Sequence, residues 1–250
     1  MSFASNLLDR FRLLRTAFTR RYIWTDLTAM VKAHGYELRE IRANVHPLHF
    51  AALLPARHTP SPDFTVLGPS QAFALAETYA WNSEPSVSAF LGELAFRLSA
   101  PVVVELGCFV GWTSAHFALG LRAAGHGGQL WCVDYDRRFL DAARSNLTRH
   151  SLAEPVQFLE GLSLDPHILA ALPPLIDLLF IDTSHAYEPT LAELAAYAPR
   201  LSPGGLIVLH DSISQDGVRR ALHEQWHRFD TLTFATEFGN GLTVLRARTS

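Results

Sequence analysis

Five short apolar runs between residues 101 and 210 are each followed by a segment long enough for a helix. The runs are rich in Val, Leu and Ile and do not alternate with polar residues, which is typical of strands covered on both faces. Strands and helices in alternation predict a parallel sheet joined by right-handed crossovers. The predicted strands are 101–106, 129–134, 155–159, 176–182 and 205–210.

Two further apolar runs, 231–238 and 241–246, flank Gly239-Asn240 and predict an antiparallel hairpin. A helix is predicted at 85–98, before the first strand, because its apolar residues recur at helical spacing. The predicted fold class is therefore α/β, with a doubly wound, mostly parallel sheet of seven strands that ends in a C-terminal antiparallel hairpin.

Proline and glycine crowd residues 55–69 and predict a boundary between an N-terminal helical extension, 1–65, and the main domain, 66–250. Within the extension, apolar residues recur at helical spacing and arginines occupy the remaining face. This basic amphipathic helix either packs on the domain or on a second copy, forming a homo-oligomer, or attaches to a membrane surface. Packing is favoured, since such stripes usually mark packing faces.

Composition narrows the class of protein. The chain of 250 residues is 48% hydrophobic and 18% charged, with a net charge of −3, as expected for a soluble globular domain without general attraction for nucleic acid. Two cysteines fit a reducing compartment. No apolar run reaches the roughly 18 residues of a transmembrane segment and no signal sequence is apparent, so a cytoplasmic protein is predicted. Lys32, the one lysine, lies in the extension, so a general base of another type is expected.

Ligands of such sheets bind beyond the carboxyl ends of the strands. The first strand leads into Glu105-Leu106-Gly107-Cys108-Phe109-Val110-Gly111, a tight glycine turn before a helix that begins near Gly111. The turn lacks the third glycine of a dinucleotide motif, and bulky Phe109 fills it. This pattern favours a ligand without phosphates there and disfavours a nicotinamide-dependent dehydrogenase.

Asp134 ends the second strand, where a carboxylate would hold the two hydroxyls of a ribose. Its simpler interpretation is an aspartate that forms a turn. Taken with Glu105, Gly107 and Gly111, it resembles the pattern of class I S-adenosylmethionine-dependent methyltransferases.

Asp182 and Asp211 follow the fourth and fifth strands, and they are candidate oxygen ligands of a hard divalent cation such as Mg²⁺. His185 lies on the same rim and could take the proton of a hydroxyl that attacks the sulfonium methyl group. Singly, each Asp is more often a cap or turn residue, and a lone His is more often only hydrogen-bonded. His210 is a third ligand, a partner of Asp211 or a packing residue.

The run 181–188, followed by Pro203-Gly204-Gly205 and His210-Asp211, resembles the family of macrocin-type and other sugar O-methyltransferases and of cephalosporin hydroxylase-like proteins. It is more distantly similar to catechol O-methyltransferase. The resemblance implies that Asp182, Asp211 and Ser212 hold the metal and that His185 is the base. It also implies a cofactor site formed by Glu105, Gly107, Phe109, Gly111, Thr113, Asp134, Leu162, Ser163 and Asp182.

The predicted function is an S-adenosylmethionine-dependent O-methyltransferase that requires Mg²⁺ or another divalent cation and acts on a hydroxyl of a small molecule, such as a natural-product sugar, a polyol or a catechol. One alternative is a metal-independent methyltransferase in which His185 alone is the base. Another is a non-catalytic S-adenosylmethionine-binding accessory protein. Residues predicted to line the acceptor pocket are Tyr79, Trp81, Asn82, Tyr187 and Ser214.

Overall fold

The computed structural model describes residues 82–98, 101–125, 127–234, 236 and 239–248. The predicted extension, 1–65, and the first part of the predicted domain, including Tyr79 and Trp81, lie outside the described residues. The domain boundary therefore stays a prediction. No helix among the described residues is long and apolar enough to cross a membrane.

A seven-stranded sheet forms the centre of the described part of the chain. Its strands are β1 (Val102–Leu106), β2 (Gln129–Asp134), β3 (Val156–Glu160), β4 (Ile176–Ile181), β5 (Leu201–His210), β6 (Phe229–Phe234) and β7 (Leu242–Ala247). Their order is β3-β2-β1-β4-β5-β7-β6; the first five are parallel, and β7 runs antiparallel to β5 and β6. The predicted sheet and its terminal hairpin are confirmed, and the strand order reverses between β1 and β4.

In the part of the chain that the structure describes, six α-helices cover the two faces of the sheet: α1 (Pro85–Arg97), α2 (Trp112–Ala124), α3 (Arg137–Arg149), α4 (Pro166–Ala171), α5 (Tyr187–Tyr197) and α6 (Asp216–Gln225). The first three contribute to one hydrophobic cluster and the last three to another. Val103 lies in the first cluster and Val104 in the second, because successive side chains of a strand point to opposite faces. This explains why the predicted strands lack polar alternation.

Helices α1 and α2 approach each other through glycine. A Cβ atom on Gly120 would lie 2.1 Å from the carbonyl oxygen of Gly92, so any larger side chain would force the two helices apart. The residues just before α1 reach the carboxyl edge of the sheet, where Ser83 contacts Thr113 and Glu84 contacts His210.

Two predicted boundaries differ from the structure by four residues. Strand β5 begins at Leu201 and not at the predicted residue 205, because its pairing with β4 is irregular between Ile176 and Leu178 and accommodates Pro203-Gly204 within the strand. The connection of the hairpin is also longer than Gly239-Asn240, since β6 ends at Phe234.

Candidate active site

Hydrogen bonds between neighbouring strand ends set the predicted site residues side by side along the carboxyl edge. The Gly161 amide donates to the Asp134 carbonyl, the Gly107 amide to the Val133 carbonyl and the Asp182 amide to the Leu106 carbonyl, each at 2.9 Å. The sheet thus brings the residues after β3, β2, β1 and β4 together, and Asp211 follows on the adjacent β5.

The turn after β1 depends on its two glycines. Gly107 has a φ of +85°, and a Cβ atom there would lie 2.0 Å from the carbonyl oxygen of Asp182. Gly111, also at φ +85°, directly precedes α2, and a Cβ atom on it would lie 3.0 Å from the Cα atom of Ala143 in α3. Phe109 lies between them at φ +47°, a conformation that few non-glycine residues adopt.

Asp134 joins the end of β2 to this turn. Its Oδ2 accepts the Phe109 backbone N–H at 2.9 Å, and its Oδ1 accepts that of Asp136 at 3.1 Å. The side chain is buried, and this burial raises the pKa of Asp134 above its usual value. The carboxylate therefore holds the glycine turn in place, and its contact with a ribose stays a prediction.

Glu105 and Thr113 lie in the interior. Glu105 is fully buried, and its Oε2 accepts from the Ser114 hydroxyl at 2.5 Å and from the Cys132 thiol at 3.4 Å. Burial raises the pKa of Glu105 well above its usual value. The Thr113 hydroxyl lies 2.7 Å from that of Ser83. Both predicted cofactor residues therefore make contacts that support the glycine turn and the start of α2.

The edge beside β2 and β3 exposes two large apolar side chains. Leu162, a predicted cofactor residue, is 59% exposed, and Tyr135 is 67% exposed. They follow neighbouring strand ends, which makes them suited to cover a flat aromatic ligand. Sequence reasoning did not include Tyr135, although its place directly after Asp134 was a usable signal.

Ser163 has a partner that was not predicted. Its hydroxyl donates to Oε1 of Glu193 at 2.5 Å, and the Thr183 hydroxyl donates to Oε2 of the same carboxylate at 3.0 Å. Glu193 is buried on α5, and burial raises its pKa. It therefore ties the loop after β3 to the loop that follows Asp182.

Asp182, His185 and Asp211 form the cluster of the described residues that could hold a metal ion, with one ligand atom from each lying within 4.8 Å of the others. The Nε2 atom of His185 is 2.9 Å from Oδ1 of Asp182 and 3.1 Å from Oδ2 of Asp211. His185 and Asp211 have φ angles of +59° and +55°. The structure brings the three predicted residues together.

The charges of this cluster are strongly coupled. Burial disfavours the charged form of Asp182, but His210 and His185 hold the pKa of its carboxyl well below the usual range. Burial likewise opposes the charge of His185, whereas the hydrogen bond to Asp182 and the charges of both aspartates raise its pKa overall. Asp211 has a raised pKa because it is partly buried and close to Asp182.

His210 lies behind the cluster. Its Nε2 is 2.6 Å from Oε2 of the buried Glu84, and its Nδ1 is 3.4 Å from Oδ2 of Asp182 and 3.8 Å from Oδ1 of Asp211. Of the three interpretations, this arrangement favours a partner of the site carboxylates, with Asp182 as the nearer one. Glu84 was missed, since it lies 126 residues away from His210 without any shared motif.

Ser212 and Ser214 flank the Asp211 corner. The Ser212 hydroxyl is buried and has no hydrogen-bond partner among the described residues. The Ser214 hydroxyl donates to Oδ1 of Asp211 at 3.2 Å. Tyr187, which is predicted to line the acceptor pocket, donates its hydroxyl to Glu224 and lies under the Arg220 guanidinium.

The reversal of strand order at β1, the glycine turn and the carboxylate at the end of β2 are features expected of a class I S-adenosylmethionine-dependent methyltransferase. A family model described as a methyltransferase domain matches residues 104–212. Catechol O-methyltransferase of Mycobacterium tuberculosis is 32% identical over 162 residues, which cover 62% of this chain and 70% of the relative. That of Niastella koreensis is 29% identical over 157 residues, covering 62% and 68%. The chain belongs to the S-adenosylmethionine-dependent O-methyltransferase family that includes these relatives.

Solved structures have the same fold. The O-methyltransferase TomG from Streptomyces achromogenes, in complex with S-adenosylmethionine, superposes with a TM-score of 0.63 at 20% identity, over 81% of this chain and 96% of that one. An O-methyltransferase from Bacillus cereus, in complex with S-adenosylhomocysteine (SAH), gives 0.62 at 22% identity, over 75% and 93%.

Proposed function

We propose that this protein is a divalent-metal-dependent enzyme that transfers the methyl group of S-adenosylmethionine to a hydroxyl of a small molecule. The observation that carries the proposal is the convergence of Asp182, His185 and Asp211 at the edge of the sheet next to the glycine turn. Carboxylates and an imidazole in reach of one point can both bind a cation and move a proton.

The donor set fits such a cation. Asp182 and Asp211 would each supply a carboxylate oxygen, which is the ligand type that Mg²⁺ prefers. The buried Ser212 hydroxyl, without a partner among the described residues, supports its assignment as a third oxygen ligand. A bound divalent cation would lower the pKa of an acceptor hydroxyl beside it.

His185 would act as the base. Its Nε2 faces the two carboxylates, so a hydroxyl held among these residues lies within reach of it. As the hydroxyl oxygen attacks the methyl carbon, an O–C bond forms, the S–C bond of the cofactor breaks and the proton passes to the neutral imidazole of His185. The remaining requirement is in-line positioning of acceptor and donor.

The small number of protein ligands indicates which methyl-group acceptors could also bind the cation. With only two or three protein oxygens, a six-coordinate cation retains neighbouring positions for two acceptor oxygens. A vicinal diol of a sugar, polyol or catechol would use both positions. The two relatives named catechol O-methyltransferases support this class of acceptor.

A second candidate is a metal-independent O-methyltransferase. The direct contacts between His185 Nε2 and Oδ1 of Asp182 and Oδ2 of Asp211 favour it, because carboxylates can orient an imidazole base without a cation. Membership of the O-methyltransferase family disfavours the non-catalytic accessory protein.

Transfer of a labelled methyl group to a panel of catechols, glycosides and polyols tests the proposal. We expect a chelator to abolish transfer, Mg²⁺ or Mn²⁺ to restore it and His185→Ala to lower it by roughly 100-fold or more, the usual contribution of a general base. His223→Ala, at an exposed histidine of α6, is the matched control and should retain the rate. Full activity in chelator with an inactive His185→Ala variant would select the metal-independent candidate, and an active His185→Ala variant would refute both.

A further inference from the structure

Glu84 occupies the N-cap position of α1, where its carbonyl oxygen accepts the Ser88 amide, but its side chain makes no capping hydrogen bond. Polar side chains at this position usually accept hydrogen bonds from the first backbone N–H groups of the helix. The Glu84 carboxylate instead has Oε2 at 2.6 Å from His210 Nε2, and its Oε1 accepts from the Thr236 hydroxyl at 2.5 Å. Only 1% of the side chain is exposed.

This buried ion pair requires an explanation other than stability. Removing two charges from water costs several kcal/mol for each ion, and apolar side chains of similar volume often give equal or greater stability. A charged hydrogen bond does, however, fix the relative orientation of the two groups that it joins. The Glu84 carboxylate fixes which ring nitrogen of His210 faces the interior and, as a result, which one faces the site.

Asp182 faces the ring nitrogen of His210 that does not contact Glu84. His210 Nδ1 is 3.4 Å from Oδ2 of Asp182, whereas Oδ1 of Asp182 faces His185 Nε2. The two oxygens of one carboxylate thus have different partners, and rotation of the carboxylate would disrupt both contacts. The orientation of Asp182 therefore depends on a ring that is itself held by Glu84.

We infer that Glu84 is a positioning residue of the methyltransferase, which acts through His210 to hold the Asp182 carboxylate in its working orientation. The inference rests on the proposed function, because it takes Asp182 as a residue of the reaction site. Partners behind a metal ligand typically contribute 10- to 100-fold in affinity or rate.

Glu84→Met tests this inference, with Glu93→Met as the matched control. Glu93 is a buried glutamate within α1 whose Oε1 pairs with Arg97 Nε at 2.7 Å, at the opposite end of the helix from Glu84. We expect Glu84→Met to lower kcat and Mn²⁺ affinity, measured by electron paramagnetic resonance, by roughly 10- to 100-fold. Glu84→Gln, which keeps an acceptor oxygen, should recover part of the loss. Glu93→Met should change the midpoint of thermal unfolding while leaving kcat and Mn²⁺ affinity within about twofold of wild type, as expected for an independent site.

Two substitutions of His210 separate positioning from stability and serve if Glu84→Met does not fold. The Gln amide nitrogen can replace Nε2 towards Glu84, while the Asn amide nitrogen can replace Nδ1 towards Asp182. We expect His210→Gln to keep more stability and lose more kcat than His210→Asn. If the variant that loses more stability also loses more kcat, the inference is refuted.

Failure of the inference can be told apart from failure of the proposed function. If wild-type enzyme binds no Mn²⁺ and ignores chelator, the metal proposal is wrong, but Glu84→Met should still lower kcat because His185 relies on Asp182. If wild-type enzyme needs the metal and Glu84→Met matches Glu93→Met in kcat and Mn²⁺ affinity, the positioning role is wrong and the metal proposal stands.

Discussion

The contact between Gly107 and Asp182 predicts a sharp effect of one added methyl group. In Gly107→Ala, the new Cβ atom would lie 2.0 Å from the Asp182 carbonyl oxygen, 2.9 Å from its carbonyl carbon and 3.5 Å from the Thr183 Cα atom. These are backbone atoms, and Asp182 is anchored by its hydrogen bond to the Leu106 carbonyl. The methyl group therefore has no flexible side chain to displace.

The expected cost has two parts. An alanine at a φ of +85° adopts the left-handed region at a cost of about 1 to 2 kcal/mol. Bringing the Cβ to carbonyl distance from 2.0 Å to an ordinary contact moves the backbone by more than 1 Å, and overpacking of this kind costs about 1 to 3 kcal/mol. The sum is about 2 to 5 kcal/mol, or roughly 4 to 20 °C in the midpoint of thermal unfolding for a chain of this size.

Gly125→Ala is the matched control. Gly125 has a φ of +65°, and a Cβ atom there would meet nothing within 4 Å, so only the conformational cost remains. Thermal unfolding and calorimetric titration with SAH should show a larger stability loss in Gly107→Ala and weaker SAH binding in that variant alone. Equal stability of the two variants with unchanged SAH affinity would refute the contact as a determinant of the site.

Two further predictions concern buried titratable groups. Glu193→Ala leaves the hydroxyls of Ser163 and Thr183 without their shared acceptor, so we expect SAH affinity to fall about tenfold in calorimetry, and unchanged affinity would contradict the role of Glu193. Burial lowers the pKa of His116 to about 4. The unfolded chain therefore binds this proton at a higher pH than the folded one, and the free energy of unfolding should fall by up to about 3 kcal/mol as pH drops from 6.5 to 4. Denaturant titrations should show a smaller fall for His116→Gln, and an equal fall would contradict the assignment.

The sheet could be predicted because burial on both faces leaves a strong signal. Uninterrupted apolar runs identified the five parallel strands, and the hairpin followed from two apolar runs beside a Gly-Asn pair. The start of β5 could not be predicted, since Pro203-Gly204 interrupts the apolar run while the irregular register with β4 accommodates it in the strand. Register irregularities depend on pairing partners and leave no local pattern.

The candidate site was predictable where topology brings strand ends together. Asp182, His185 and Asp211 follow adjacent strands, so knowledge of the sheet was enough to place them near one another. Glu84 and Glu193 could not be found this way. Their side chains reach the site from helices or helix ends, where the contact is set by how the helices pack on the sheet.

Backbone strain is concentrated at this edge of the sheet. Among the described residues, three of the four non-glycine positions with positive φ are Phe109, His185 and Asp211. A glycine would adopt each conformation freely, so the backbone alone does not account for the residues found there. A cost of about 1 to 3 kcal/mol at each such position persists only where the surroundings enforce it. At His185 the surroundings are close, since a Cβ atom added to Gly217 would lie 2.4 Å from the His185 carbonyl oxygen and α6 therefore packs closely against this loop. The strained backbone therefore positions the side chains of His185 and Asp211 at this edge of the sheet.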